Sequence, residues 1–242
     1  MDITRGLPKK ITPDPIIDCN FEIRFTTTSS TEEIFGLLYG ALKEGYPSLQ
    51  MTNIPPVIRD QDPNLAFYAE AFLANEHFQI GISKRALSIG CKTPYVGWAQ
   101  YSKEIEAKLQ ALLSIPSLVI LIQRIGLRYI NFFEGIVPMS EVIDLGISFF
   151  NEKQYNRKNV GVRTELAKGD ISFMLNASDN ASTNIKPTVV GNLLDIDVSC
   201  SAGLESSLPR LIELVDRLHN EEKALFFSLL RQEFVDKITL EY

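Results

Sequence analysis

Gln123-Arg124-Ile125-Gly126-Leu127-Arg128-Tyr129-Ile130-Asn131 reads as a long buried strand with two arginines on one face. Alternate side chains of a strand share a face. Ile122, Arg124, Gly126, Arg128 and Ile130 are therefore expected to point one way, and Ile125, Leu127 and Tyr129 the other. Two guanidiniums flank a residue with no side chain, which leaves the backbone approachable between them. The pattern is either an anion notch or a structural ion-pair site that ties a helix to the sheet.

The flanking sequence supplies the partners of such a strand. Met1 to Pro15, with three prolines and paired lysines, predicts an irregular arm. Asp18 to Thr26 alternates as a strand, with Phe21, Ile23 and Phe25 on one side and Glu22 and Arg24 on the other. Ser30-Thr31-Glu32-Glu33 predicts a helix start, running to about Glu44. Gln50 to Asn64 reads as a loop with a short edge strand. Ala66–Ala74, His77–Ser83 and Ala86–Lys92 predict an antiparallel meander. Tyr95–Leu113 predicts a second helix, and Leu118–Phe133 is the long strand. A third helix is expected over Ser140–Phe150. Val160–Leu166 and Ile171–Leu175 predict a hairpin, Asn176–Thr183 a polar loop and Thr188–Val198 another strand. A last helix is expected from about Glu205 to Lys237, with an apolar stripe of Leu211, Val215, Leu218, Leu225, Leu229 and Phe234.

Residues 18–116 read strand, helix, three strands, helix, and residues 118–242 read the same order. Ile23-Arg24-Phe25 and Leu127-Arg128-Tyr129 share a local pattern. The order reflects either a duplication with a pseudo-twofold axis or a coincidence of an α+β chain. The expected fold is thus α+β, a mainly antiparallel sheet with helices on one face, built as two fused β-α-β-β-β-α units. Residues 1–15 form the arm and 16–242 one compact domain, with repeat lobes 18–116 and 118–242. The other sheet face would be open to a ligand or partner.

Composition narrows the function classes. The 242 residues are 45% hydrophobic and 22% charged, which supports a sizeable core. The net charge of −6 and pI of about 5.1 disfavour a dedicated nucleic-acid binder, since phosphate contacts dominate such affinities. Cys19, Cys91 and Cys200 are far apart in sequence and form neither a disulfide framework nor a zinc site. Reduced thiols, a polar start and short apolar runs predict a cytoplasmic protein with no signal peptide and no membrane association.

Arg24, Arg124, Arg128 and Arg163 are the candidate ligand- or partner-binding residues. Their structural alternative is pairing with acids such as Glu22, Glu165 or Asp197. No catalytic constellation, metal site or cofactor is expected. His77 sits by a predicted turn. His219 and Glu222 have the i,i+3 spacing of di-metal bundles, but the second pair that such a site needs is missing, so His219 reads as a capped or surface histidine. Asp195 and Asp197 share a strand face and either hold a cation or face solvent and the arginines. Trp98 and Tyr101, in step with Ile105 and Leu109, either stack on a ligand or belong to the core.

Pro15 with Asp18, Glu22-Ile23-Arg24-Phe25, Phe78-Gln79-Ile80-Gly81, Tyr95, Trp98 and Tyr101, the stretch Arg124 to Asn131, Leu218-His219 and Phe226 together resemble a bacterial family. It is sporadically distributed, uncharacterised in activity and of about this length. Asp18 departs from it, because Glu is commoner there. The resemblance implies a shared fold and, from the patchy distribution, a mobile or defence-associated setting. The expected function is a non-enzymatic binding or accessory protein, such as a subunit of a toxin–antitoxin or defence-type system, using the open sheet face for a protein partner or a small anionic ligand. The alternative is a nucleic-acid-binding module using the sheet arginines. The wide apolar helix stripes are compatible with a homodimer.

Overall fold

The computed structural model describes residues 6–62, 65–116, 118–135, 138–146, 159–183 and 189–242. In chain order its elements are β1 (Lys10–Thr12), β2 (Ile16–Thr26), α1 (Thr31–Leu42), β3 (Ser48–Met51), α2 (Pro56–Gln61), β4 (Ala71–Ala74), β5 (Phe78–Ile82), β6 (Ala86–Cys91) and α3 (Trp98–Leu113). There follow β7 (Leu121–Glu134), β8 (Gly161–Lys168), β9 (Ile171–Ala181), β10 (Gly191–Cys200), α4 (Leu208–Leu229), α5 (Gln232–Val235) and β11 (Thr239–Glu241). Among the described residues nine strands make one antiparallel sheet, in the order β3-β4-β5-β6-β2-β7-β10-β9-β8. The chain is therefore α+β, with helices on a mainly antiparallel sheet, as its sequence predicts.

β2 and β7 lie side by side at the centre, with Phe21 opposite Leu127 and Ile23 opposite Ile125. All four side chains are wholly buried. Burial of each such side chain contributes about 1.5–3 kcal/mol. The covering layer is α1, α3 and α4: α3 touches both other helices, and α4 crosses β7 and β10. Each helix turns an apolar stripe inward: Ile34, Leu38 and Leu42 from α1, Tyr101, Ile105, Leu109 and Leu112 from α3, and Leu211, Val215 and Leu218 from α4. The Ser30 side chain accepts a hydrogen bond from the Glu33 N–H and so caps α1, as the sequence implies. No helix among the described residues is long and apolar enough to cross a membrane.

β2 pairs outward with β6, and β7 pairs outward with β10. Each half of the chain thus opens with a central strand and returns to it with the last strand of a meander. The first half adds the edge strand β3, which starts two residues before the segment Gln50–Asn64 read as a loop with a short edge strand, and the short helix α2, which that reading did not anticipate.

Several sequence expectations change in the structure. In β7 the register shifts between the Arg24–Arg124 and Phe25–Ile122 pairs, leaving Gln123 as a bulge. Ile122 therefore sits in the core opposite Phe25, not on the arginine face. The helix expected over Ser140–Phe150 is a single 3-10 turn, Met139–Glu141, with no α-helix through residue 146; residues 147–150 lie outside the described residues. Met139, Val142 and Ile143 are buried at helical spacing, but the backbone is already engaged elsewhere. Ile143 bridges Leu230, the Asp144 N–H donates to the Leu229 carbonyl, and the Arg231 N–H donates to the Val142 carbonyl. The same bonds hold Leu230 and Arg231 extended. The long last helix consequently stops at Leu229, and Phe234 reaches the core from α5.

β9 runs on through the expected polar loop because its alternation persists: Leu175 and Ala177 are buried while Asn176 faces the other side. The strand expected from Ala66 begins only at Ala71. The arm is not wholly irregular, since β1 pairs with β11 and sets Ile11 opposite Leu240.

Candidate functional site

On the uncovered sheet face, three of the four sequence-predicted arginines meet carboxylates. Arg24 donates from Nε to Glu22 Oε1 at 2.6 Å and lies 4.1 Å over the Phe67 ring. Arg124 spans two acids, reaching Glu22 Oε1 at 3.0 Å and Asp197 Oδ1 at 2.7 Å. Arg128 grips Asp195 with two hydrogen bonds of 2.8 Å, the fork geometry for which guanidinium is suited. Asp195 also accepts from Asn176 Nδ2 at 3.2 Å. Arg163, on edge strand β8, is exposed and has no acid partner among the described residues. Burial raises the Asp197 pKa above the ordinary carboxylate value, against the pull of Arg124. Burial likewise raises that of Asp18, against the charge of Arg128.

The notch suggested by Gly126 is filled from within. A Cβ at that position would stand 2.5 Å from Arg124 Nη1 and 2.9 Å from its Cζ. Glycine is needed there so that the guanidinium can lie flat across the strand and reach acids on both neighbouring strands. Arg24, Arg124 and Arg128 are each paired with a carboxylate, so this part of the face neutralises its own charge.

The opposite side of β7 holds a cavity of about 610 Å³, within the range of small-molecule sites. Four segments wall it. The arm contributes Lys9, Ile11 and Asp14; the entry to α3 gives Tyr95 and Trp98; β7 gives Tyr129 and Asn131; α4 gives His219, Glu222, Lys223, Phe226 and Phe227. The α4 residues fall at i, i+3, i+4, i+7 and i+8, one helical face. Trp98 is placed by Gly97, whose φ of +86° at the start of α3 lies where only glycine sits without strain.

Within the cavity the His219 ring stacks on the Trp98 indole, with centroids 3.8 Å apart and planes 8° from parallel. Its Nδ1 lies 3.3 Å from the Tyr129 hydroxyl, which is 3.5 Å from that of Tyr95. Burial pushes the His219 pKa down to about 3, with the Lys223 charge adding to the effect, so the ring is neutral at physiological pH. Burial raises the Tyr95 and Tyr129 pKa values, so both phenols keep their protons.

Glu222 is 5% exposed and has no hydrogen-bond or ion-pair partner among the described residues. Burial pushes its pKa up to about 8, opposed only by the charge of Lys223. Lys223 is itself lowered by its burial. A carboxyl held without a partner in an aromatic-walled cavity is the kind of perturbed group that accompanies binding and catalytic sites. His219 and Glu222 gain no further ligand side chains: among the described residues no group of His, Cys, Asp and Glu converges to hold a metal ion.

The structure thus divides the sequence candidates. Arg24, Arg124 and Arg128 gather on the open face, Arg163 stands apart at the edge, and none of them reaches the cavity. Tyr101 is core, its hydroxyl donating to the Ile89 carbonyl. Trp98 is a cavity wall. His219, read as a capped or surface histidine, is half-buried between Trp98 and Tyr129. Comparison of the sequence with protein-family models and with curated proteins finds no match.

Proposed function

We propose that this chain is a non-enzymatic binding protein whose ligand is a small organic amine with an apolar, ring-bearing body, held in the cavity beneath the arm. The observation that carries the reading is Glu222, a carboxyl inside an aromatic cavity with no hydrogen-bond or ion-pair partner among the described residues. A ligand ammonium supplies that partner. At an effective dielectric of about 20 a pair at 4 Å gains about 4 kcal/mol, against about 1 kcal/mol in water. Ionising Glu222 at pH 7 costs about 1.4 kcal/mol, one unit below its pKa. The deep pair is set against three cavity lysines: Lys9 and Lys10 are exposed at the rim, Lys10 lies 4.0 Å from Glu241, and burial lowers the pKa of Lys223, which favours its neutral form. The aromatic walls add cation–π attraction. Binding without chemistry fits His219 and Glu222, which stand one helical turn apart on α4 rather than across the cavity from each other.

The nucleic-acid alternative would need Arg24, Arg124, Arg128 and Arg163 as phosphate contacts, and three of these are engaged by acids. An accessory subunit of a toxin–antitoxin or defence-type system, the version suggested by the family resemblance, would carry the same cavity. The mirrored strand order about β2 and β7 supports an internal duplication with a pseudo-twofold axis.

Trp98 is the only tryptophan of the chain, so its emission reports directly on the cavity. Titration with 2-phenylethylamine at pH 7 is expected to give a saturable change. The neutral 2-phenylethanol should bind about 100-fold more weakly, and Glu222→Gln should weaken the amine by about 10- to 100-fold. Equal binding of the alcohol or of phenylacetate would overturn the amine class. A flat titration with all three would count against the cavity as a ligand site.

A further inference from the structure

The fold brings together two cysteines that are far apart in sequence. Cys19 of β2 stands directly opposite Cys91 of β6. Both are free thiols, 1% and 4% exposed. Opposite residues of an antiparallel pair have Cα atoms about 4.5–5.5 Å apart, inside the window of about 4.4–6.8 Å that a disulfide spans. We propose that Cys19 and Cys91 are an oxidisable thiol pair that closes to a disulfide in response to hydrogen peroxide.

The two sulfurs are not equivalent, and the difference assigns their roles. Hydrogen bonding from Cys19 lowers the Cys91 pKa to about 7, while burial pushes the Cys19 pKa well above the ordinary thiol value. Cys91 is the nucleophile, because thiolate is the reactive form. Its sulfur attacks one peroxide oxygen, the O–O bond breaks, hydroxide leaves and takes up a proton, and Cys91 becomes a sulfenic acid. The Cys19 sulfur then attacks the sulfenic sulfur. The S–S bond forms, the S–O bond breaks, and the departing hydroxyl leaves as water with the Cys19 proton. Two thiols are oxidised and one peroxide is reduced to water.

Access comes from the cavity side. The Val96 backbone is hydrogen-bonded to the Cys91 thiol, and Tyr95 and Val96 both line the cavity wall. One residue therefore separates Cys91 from a space that admits peroxide. Cys200 is the internal control: its sulfur contacts the Asp170 carboxylate at 3.5 Å and the Ala202 carbonyl at 3.4 Å, and it has no thiol partner.

The test treats the folded full-length protein with dilute hydrogen peroxide, blocks free thiols with iodoacetamide and maps peptides without reduction. The expected product is a Cys19–Cys91 cross-linked peptide, lighter by the mass of two hydrogens, with Cys200 alkylated. Cys19→Ser should stop the reaction at a Cys91 sulfenic acid that dimedone traps, and Cys91→Ser should abolish both products. Retained near-ultraviolet circular dichroism shows that each protein is folded. Absence of the cross-link in the folded wild type would overturn the proposal, as would oxidation of Cys200 as fast as Cys91.

Discussion

Glu222→Gln is expected to gain stability over the wild type as pH rises, by about 4 kcal/mol between pH 4.5 and pH 8. The carboxyl titrates near 4.5 when unfolded and is pushed up to about 8 in the folded chain. Between those values the folded state holds a proton that the unfolded state has lost. The stabilisation is therefore complete below about 4.5, drains away as pH rises, and is gone above about 8. The shift spans about 3.5 units at 1.36 kcal/mol each, part of which falls outside that pH range. His219 works in the opposite direction. Its folded pKa is about 3 against 6.5 unfolded, so its contribution is present above 6.5 and lost as pH falls toward 3.

Where the two windows overlap, from about pH 4.5 to 6.5, the slopes cancel. The pair predicts a plateau there and a fall of about 2 kcal/mol from pH 6.5 to 8 in the wild type. In Glu222→Gln only the His219 slope remains, so stability is flat above pH 6.5. Lys9, Lys10 and Asp14 from the arm also face the cavity and are common to both proteins; Lys223 on α4 is coupled to Glu222, so its share of the difference belongs to the removed carboxyl. Urea unfolding of both proteins across this range measures the difference directly. Parallel profiles would show that Glu222 is not buried without a partner.

Arg128→Ala is expected to lower stability by about 2–3 kcal/mol. Removing one partner of a buried ion pair costs about 3–5 kcal/mol because the other charge is stranded. The discount reflects Arg128 itself, whose side chain is 49% exposed while that of Asp195 is 6% exposed. Asp195 would keep only Asn176. The double variant Arg128→Met with Asp195→Asn should cost less than the sum of its single changes, since no charge is left alone. Additive losses would mean that the pair does not interact. A normal urea midpoint for Arg128→Ala, with some ligand binding lost, would make the arginine a binding residue instead of a structural one.

Strand alternation made the centre of the sheet legible. Phe21, Ile23 and Phe25 against Ile125, Leu127 and Tyr129 have the period of half-buried strands, and the order of elements anticipates the mirrored meanders. Where legibility failed, tertiary contacts had overridden local pattern. Met139, Val142 and Ile143 have helical spacing, yet their backbone bonds go to the end of α4. Leu230 ends α4 without a glycine or proline because the same contacts hold it extended. The Gln123 bulge moved Ile122 into the core, which no count of alternating residues reveals.

The site was less legible than the fold. Arginines on a strand are conspicuous, but acids on adjacent strands absorb them, and register decides which acid meets which arginine. The signal for the cavity was present in α4 as a defect. The stripe Leu211, Val215, Leu218, Leu225, Leu229 steps over position 222, where the spacing calls for an apolar residue and Glu stands instead. An acid at a core position, with no hydrogen-bond or ion-pair partner among the described residues, was the mark of the site. The opposition of Cys19 and Cys91 had no sequence signal, because only the β2–β6 register brings them together.

The central claim is that Glu222 ionises to meet a cationic ligand. Isothermal titration of 2-phenylethylamine at pH 7, in buffers of different ionisation enthalpy, counts the protons released on binding. With a pKa of about 8 in the empty cavity, release of about 0.9 proton per amine bound is expected, falling to near zero in Glu222→Gln. Binding with no proton release from the wild type would contradict the claim.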